Sequence, residues 1–111
     1  MSEKTELGPN FKLWLEKEGE PIIGKGRVEL LQTIEREGSL NKAAEIMNMS
    51  YRHLWGTIKK LEERLGYDLV KTIKGGKEGG GATLTEEAYQ LIEEYKRLNK
   101  TIKTVIEERS P

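Results

Sequence analysis

The sequence contains no cysteine, which excludes a disulfide framework and any thiolate metal site. It has no apolar run long enough to cross a bilayer, and the segment 1–7 lacks the pattern of a signal peptide. We therefore expect no membrane contact and a cytoplasmic location. Only one histidine, His53, is present, and a lone histidine is more often a surface residue than a ligand or a base. With no carboxylate pair at a recognisable spacing, we predict neither an enzyme nor a metal or cofactor site.

The formal net charge of the 111 residues is zero, which at first argues against binding to nucleic acid. The charges are unevenly distributed, however. Residues 50–77 carry seven lysines and arginines against three acidic residues, whereas residues 1–24 carry three against five and residues 85–111 carry five against six. A local basic face can bind phosphate even on a neutral molecule. The alternative is that these lysines only keep a surface solvated.

Alternating and helical patterns of apolar residues predict a mixed, mainly α chain with a small β component. Turn residues and breaks such as Gly24-Lys25-Gly26 separate the segments. The predicted elements are a loose terminus over 1–10, a strand over 11–16, a turn over 18–20, a returning strand over 21–23, a helix over 27–37, two strands over 68–73 and 82–84, and a long last helix that Thr85 caps.

The segment 39–65 predicts two short helices joined by a tight turn. Serine favours the N-cap position, so Ser39 is expected to cap a helix over 40–47 and Ser50 to cap another over 51–65. Asn48-Met49 forms the turn between them. The second of these helices has apolar residues spaced by four, three and four, which predicts its buried face. This stripe consists of Leu54, Ile58, Leu61 and Leu65.

The opposite face of this helix carries the long polar and aromatic side chains expected of a recognition helix in the major groove of DNA. Arg52 lies in the first turn, where its guanidinium can donate two hydrogen bonds to guanine. Trp55 has two open interpretations, a DNA-facing ring or a core tryptophan. Gly56 costs a helix interior about 1 kcal/mol relative to alanine, and close approach of the backbone to DNA or to a neighbouring helix would offset that cost. The predicted DNA contacts here are Ser50, Tyr51, Arg52, His53, Trp55, Lys59 and Lys60.

Five glycines lie within Gly75–Gly81. This loop has two functional interpretations. In a nucleotide-binding P-loop, the second glycine would be followed by lysine and a hydroxyl residue, but here Gly80 is followed by Gly81-Ala82. The loop therefore predicts a hairpin tip, or wing, that lies along the DNA backbone. Its phosphate-binding candidates are Lys71, Lys74 and Lys77. A connector without contacts is the alternative.

The last helix has apolar residues spaced alternately by three and four, which is the seam of a coiled coil. So long a helix cannot bury its far end on so small a domain, so a second copy is the expected partner, with two recognition helices on two half-sites. The alternative is packing of only its first half within the chain. The predicted dimer contacts are Leu91, Tyr95, Leu98, Ile102 and Val105.

Three motifs together resemble the N-terminal DNA-binding domain of ModE-type molybdate-responsive regulators, and more distantly the winged helix of LysR-type regulators. They are Ser39-Leu-x-x-Ala43-Ala44, Met49-Ser50-Tyr51-Arg52-x-x-Trp55 and Gly75-Gly-x-x-Gly79-Gly-Gly-Ala82-x-Leu84-Thr85. The resemblance implies that Ser50, Tyr51, Arg52, Trp55 and the wing lysines lie on the DNA side, and that the first and last helices form the dimer. ModE-type regulators that sense molybdate carry a C-terminal oxyanion-binding region, which we expect this chain to lack. A stand-alone regulator, a separate effector-sensing protein and a different signal all remain open.

The sequence thus predicts a winged helix-turn-helix with an N-terminal β-hairpin and a long C-terminal dimerisation helix. We expect a flexible terminus over 1–10, the DNA-binding domain over 11–84 and the dimerisation helix over 85–111. The predicted function is a homodimeric regulator of transcription that binds double-stranded DNA, with the helix over 50–65 in the major groove and the wing over 71–84 on the backbone. A winged helix that contacts another protein in a transcription complex is the alternative.

Overall fold

The computed structural model describes residues 6–73 and 81–109. Within these ranges the chain forms four helices and two small antiparallel sheets, so the predicted winged helix-turn-helix with an N-terminal hairpin is confirmed. The elements in chain order are β1 (Trp14–Lys17), β2 (Glu20–Gly24), α1 (Lys25–Glu37), α2 (Leu40–Ile46), α3 (Tyr51–Leu65), β3 (Val70–Ile73), β4 (Gly81–Leu84) and α4 (Glu86–Arg109).

Side-chain caps fix where the last three helices begin. Ser39 Oγ accepts a hydrogen bond from the amide of Lys42 at 3.2 Å, and Ser50 Oγ accepts one from His53 at 3.0 Å. Thr85 Oγ1 likewise accepts from the amide of Ala88 at 3.1 Å. Each bond satisfies one of the amides that a helix leaves free in its first turn. All three predicted caps are therefore present.

The turn between α2 and α3 depends on one residue with left-handed backbone geometry. Asn48 has a φ of 58°, a region that asparagine tolerates better than most residues. The amide of the next residue, Met49, bonds to the carbonyl of Ala44 at 2.9 Å. The chain reverses within a few residues, as predicted, and this brings α3 across α2.

Helix α1 begins two residues earlier than predicted. We expected Gly24-Lys25-Gly26 to separate the hairpin from the helix, but only Gly24 is extended, and Lys25 and Gly26 already form the first turn. Amides in the first turn have no partner within the helix, so a glycine there weakens the helix less than one in its interior. The residue pattern alone does not show whether Lys25 and Gly26 belong to the break or to the helix.

The N-terminal hairpin is shorter than the alternation of residues 11–16 predicted, because pairing begins only at Trp14. Its two-residue turn has positive φ at both Glu18 and Gly19, at 52° and 83°, as a tight hairpin turn requires. Strand β3 is also shorter than predicted. Asp68 and Leu69 precede it, and their carbonyls accept hydrogen bonds from Thr85.

The core lies around α1, which packs against α2, β2 and β4. The predicted stripe of α3 is buried at Leu54, Ile58 and Leu61, with exposures of 0–1%. Ala43 and Ala44 are buried too, and their small side chains let α2 approach its neighbours closely. α3 is thus held on one face only, and its other face is left to solvent.

Helix α4 leaves the body of the domain. Its buried residues are Ala88, Ile92 and Tyr95, all in its first half. The Cα radius of gyration is 17.4 Å, against about 13 Å for a compact domain of roughly this length. The second half of α4 therefore projects from the domain. No helix in the described ranges is long and apolar enough to span a membrane.

Candidate nucleic-acid interface

The outward face of α3 is formed by side chains that the core does not use. Tyr51, Arg52 and His53 are exposed in its first turn, and Lys59 and Lys60 are exposed two turns later. Residues three and four positions apart are neighbours on a helix surface, so these side chains form one continuous area, which we call the basic face of α3. It comprises Tyr51, Arg52, His53, Gly56, Lys59 and Lys60.

An acidic residue bounds the basic face. Glu63 is exposed and, eleven positions after Arg52, it points in nearly the same direction from the helix axis. The basic face therefore runs from the first turn of α3 to Lys60, with Arg52 at its N-terminal end. This is also the end of a helix whose free amides favour anions.

Trp55 lies at the edge of the basic face rather than fully in the core or fully in solvent. Its ring is half-buried and packs against the core, and Lys59 Nζ lies 4.5 Å from the ring centroid. Lys59 Nζ also lies 3.3 Å from Glu62 Oε1. A cation over an indole face is attracted by the ring quadrupole. The ammonium group of Lys59 therefore has two partners within the chain before any ligand binds.

Glu62 connects α3 to the wing. Its side chain is only 7% exposed, and Oε2 accepts hydrogen bonds from the amides of Leu69 at 2.7 Å and Val70 at 3.2 Å. These amides stand at the start of β3, so a buried carboxylate of α3 positions the first wing strand. Glu62 was included only in the charge count of the sequence, and its structural role was not predicted. Its position beside the apolar stripe of α3, just before a predicted strand, is the feature of the sequence that indicates this role.

We predict that Glu62→Ala destabilises the fold by about 1–3 kcal/mol, because it leaves buried amides of Leu69 and Val70 without an acceptor. Glu62→Gln keeps one oxygen acceptor, so its loss should be smaller. Urea unfolding of both variants checks this order. Equal stability of Glu62→Ala and the unsubstituted chain would contradict the structural role of this carboxylate.

The second wing strand is held by α1 in a similar way. Glu35 Oε1 accepts from the amide of Leu84 at 3.0 Å, while Oε2 accepts from the hydroxyl of Tyr89 on α4. The amide of Ala82 bonds to the carbonyl of Gly38 at 3.0 Å. The hydrogen bond to Glu35 raises the pKa of Tyr89 above its usual value of 10.0. Two glutamates therefore fix the base of the wing to the helices.

Lys71 is exposed on β3, on the strand that leads to the wing tip. Lys74 and Lys77 lie outside the described residues. Arg64, which contributed to the predicted basic segment, instead turns toward the N-terminal hairpin. Its guanidinium lies 3.4 Å from Glu20 Oε1 and donates to the carbonyl of Pro21 at 3.0 Å.

The predicted seam of α4 divides into two parts. Tyr95 is buried in its own domain, and its hydroxyl donates to the carbonyl of Leu13 at 3.2 Å. The side chain of Tyr95 thus packs mainly within its own chain, and its contact with a second copy stays a prediction. The remaining predicted residues lie along one side of α4, with Leu98 and Val105 exposed at 36% and 48%. We call this set the apolar stripe of α4: Leu91, Leu98, Ile102 and Val105.

A groove of about 610 Å³ runs beside this stripe. It is lined by residues 9–14, by the junction of β2 with α1 at residues 24–26, and by α4 from Tyr95 to Glu107. Its apolar lining includes Phe11, Leu13, Tyr95 and Ile106. The groove and the apolar stripe of α4 together leave a substantial apolar surface on one side of the molecule.

The architecture defines a class of protein: a winged helix-turn-helix domain with a hairpin before it and a long helix after it. A solved structure of this class, the BenM DBD–benA site 1 DNA complex, matches the chain with a TM-score of 0.52 and 20% identity over 75% of this chain and 88% of that one.

The sequence comparison identifies the family. Residues 26–89 match the model for bacterial regulatory helix-turn-helix proteins of the LysR family, and the chain belongs to this family. Among curated proteins, it is 38% identical over 72 residues to the molybdenum transport protein ModE of Azotobacter vinelandii, covering 65% of this chain and 27% of the relative. It is 36% identical over 69 residues to the DNA-binding transcriptional dual regulator ModE of Escherichia coli K12, covering 62% and 26%. The predicted resemblance is confirmed, and the chain spans less than a third of the length of these relatives.

Proposed function

We propose that this protein is a regulator of transcription that binds double-stranded DNA as a homodimer, with α3 in the major groove and the wing on the sugar-phosphate backbone. The observation that carries the proposal is the two-sided character of α3. One side is buried at Leu54, Ile58 and Leu61, and the other presents the basic face to solvent.

Two kinds of contact follow from the basic face. Arg52 lies in the first turn, is exposed, and has the planar fork that suits the two major-groove acceptors of guanine. His53 and Lys60 flank it on the surface and suit phosphate contacts, which position a protein without reading sequence. Lys59 differs from these residues, because it must leave or share Glu62 to reach a phosphate.

The wing strands support the proposed placement of α3 in the major groove and of the wing on the backbone. Glu62 ties β3 to α3, and Glu35 ties the end of β4 to α1 and α4. Because both wing strands are fixed to the helices, Lys71 keeps a defined position relative to the basic face. In our proposal Lys71, Lys74 and Lys77 contact phosphate on the flank of the groove that α3 occupies.

The dimer is proposed from α4. Its second half has no buried residue in the single chain, yet it presents Leu98, Ile102 and Val105 of the apolar stripe beside a groove with an apolar lining. A helix face of this kind is stable in water when a partner covers it. A second copy in twofold symmetry would do so, and it would place two α3 helices on two half-sites about one helical turn apart.

Selection of duplexes from a random pool tests the proposal directly. We expect the 111-residue chain to enrich one sequence arranged as an inverted repeat. Enrichment of a single half-site would contradict the dimer but not the DNA binding. Failure to enrich any sequence would contradict sequence-specific binding and favour a protein-contact role for the same face.

A further inference from the structure

Gly56 lies in the middle of α3 and at the centre of its exposed side. Glycine weakens a helix interior more than any residue except proline. The glycine therefore lowers the stability of α3, and the fold of the described residues does not explain its presence.

Three observations show that the fold does not need a glycine here. The backbone of Gly56 is not in the left-handed region, unlike Gly38 and Gly66, whose φ values are 66° and 85°. A Cβ atom built on Gly56 meets nothing within 4 Å. No other helix in the described part of the chain approaches the position, so packing within the chain does not explain the glycine and contact with DNA is the reason that we favour.

The surroundings of Gly56 indicate what approaches it. Its neighbours at three and four positions on either side are Arg52, His53, Lys59 and Lys60. A patch of bare backbone is therefore ringed by four basic or ionisable side chains. This arrangement suits a polyanion whose surface comes closer to the helix axis than a side chain would permit.

We propose that Gly56 is the point of closest contact between α3 and the floor of the major groove, where the base edges lie. This inference rests on the proposed function and adds a specificity-determining position to it. The absent side chain sets how deeply α3 enters the groove, and thereby whether Arg52 reaches a base edge. A methyl group at this position holds the helix away from the base pairs and lengthens every contact made by the first turn.

If Gly56 is the point of closest contact, its replacement should raise thermal stability and lower DNA affinity. Gly56→Ala is expected to raise Tm by about 4 °C, since alanine favours the helix and fits the open space. The same variant should bind the duplex recovered by selection about tenfold more weakly, a loss comparable to one base contact. Gly56→Gln, with a longer side chain, should weaken binding further.

Gly8 provides a control. It is exposed in the segment before β1, and a Cβ atom there likewise meets nothing within 4 Å. Gly8→Ala should therefore leave DNA affinity unchanged. Thermal unfolding and equilibrium titration are to be run on the unsubstituted chain and on all three variants, with the selected duplex and with sheared duplex DNA.

A larger affinity loss on the selected duplex than on sheared DNA, with a raised Tm, is the expected result for Gly56→Ala. If the unsubstituted chain binds the selected duplex and Gly56→Ala binds it equally well, the inference about Gly56 is overturned while the proposed function stands. A fall in Tm for Gly56→Ala would also overturn it, because the fold would then need the glycine. If the unsubstituted chain binds no duplex at all, the proposed function itself fails.

Discussion

Replacing the two exposed residues of the apolar stripe, as Leu98→Glu with Val105→Glu, is expected to convert the proposed dimer into a monomer. Affinity for a duplex with two half-sites should fall by roughly 10²- to 10⁴-fold, because the second half-site is then no longer bound at high effective concentration. The change places two carboxylates on the surface that the partner helix would cover, where a buried unpaired charge is strongly unfavourable. Sedimentation equilibrium and DNA titration of the same sample measure both effects.

The structure predicts that this double variant still folds, because Leu98 and Val105 are exposed in the single chain. Gln90→Glu with Thr104→Glu is the matched control. It adds the same charge at two exposed positions of α4 that lie away from the apolar stripe. A control that stays dimeric while Leu98→Glu with Val105→Glu dissociates would locate the interface on the stripe. A dimer that survives both pairs of changes would contradict the proposed interface.

Loss of the Arg52 guanidinium is expected to weaken binding to the selected duplex by about 1–3 kcal/mol, since a bidentate contact to a base contributes that much discrimination. Arg52→Lys keeps the charge but loses the planar fork. It should therefore retain affinity for sheared DNA while losing preference for the selected sequence. Competition titrations with the two DNAs measure this separation.

Arg97→Ala is the control for Arg52→Ala. Arg97 is exposed on α4, where its side chain pairs with Glu94 three residues before it. Its removal subtracts the same charge away from the basic face, so it should change affinity little. Equal effects of the two arginine substitutions would mean that Arg52 acts only through total charge, and the assignment of α3 as the recognition helix would then be wrong.

Local signals in the sequence are sufficient to predict the helix-turn-helix. Ser39 and Ser50 are helix caps, and Gly66 ends α3 with positive φ. The three-and-four spacing of Leu54, Ile58 and Leu61 identified the buried side of α3 correctly. Such signals depend on contacts within one or two helical turns, so they can be recognised in a single sequence.

Features that depend on contacts between distant segments could not be predicted in the same way. Tyr95 fits a heptad seam, but it is buried beside Leu13, 82 residues away in the chain. Arg64 belongs to a basic segment in the sequence, but it pairs with Glu20 of the hairpin. Counting charges therefore overstated the positive surface available on α3, because it ignored partners that only the fold brings close.

The same limit applies to Trp55, which is partly buried against the core, while its contact with DNA stays a prediction. The ring packs against the core on one side and carries Lys59 on the other, and Lys59 in turn pairs with the buried Glu62. A helical pattern places residues 55, 59 and 62 near one another. It does not reveal that Glu62 faces inward, because the amides that it satisfies belong to β3.

The dependence of duplex DNA affinity on salt concentration tests the central claim most directly. A protein that neutralises phosphates with lysine and arginine releases counterions, so log K falls linearly with log salt, with a slope of about −0.9 per phosphate contact. We expect the unsubstituted chain to bind the selected duplex with a steep negative slope, amounting to several phosphates per dimer. An affinity independent of salt, or no duplex binding at low salt, would contradict the conclusion that this winged helix binds DNA.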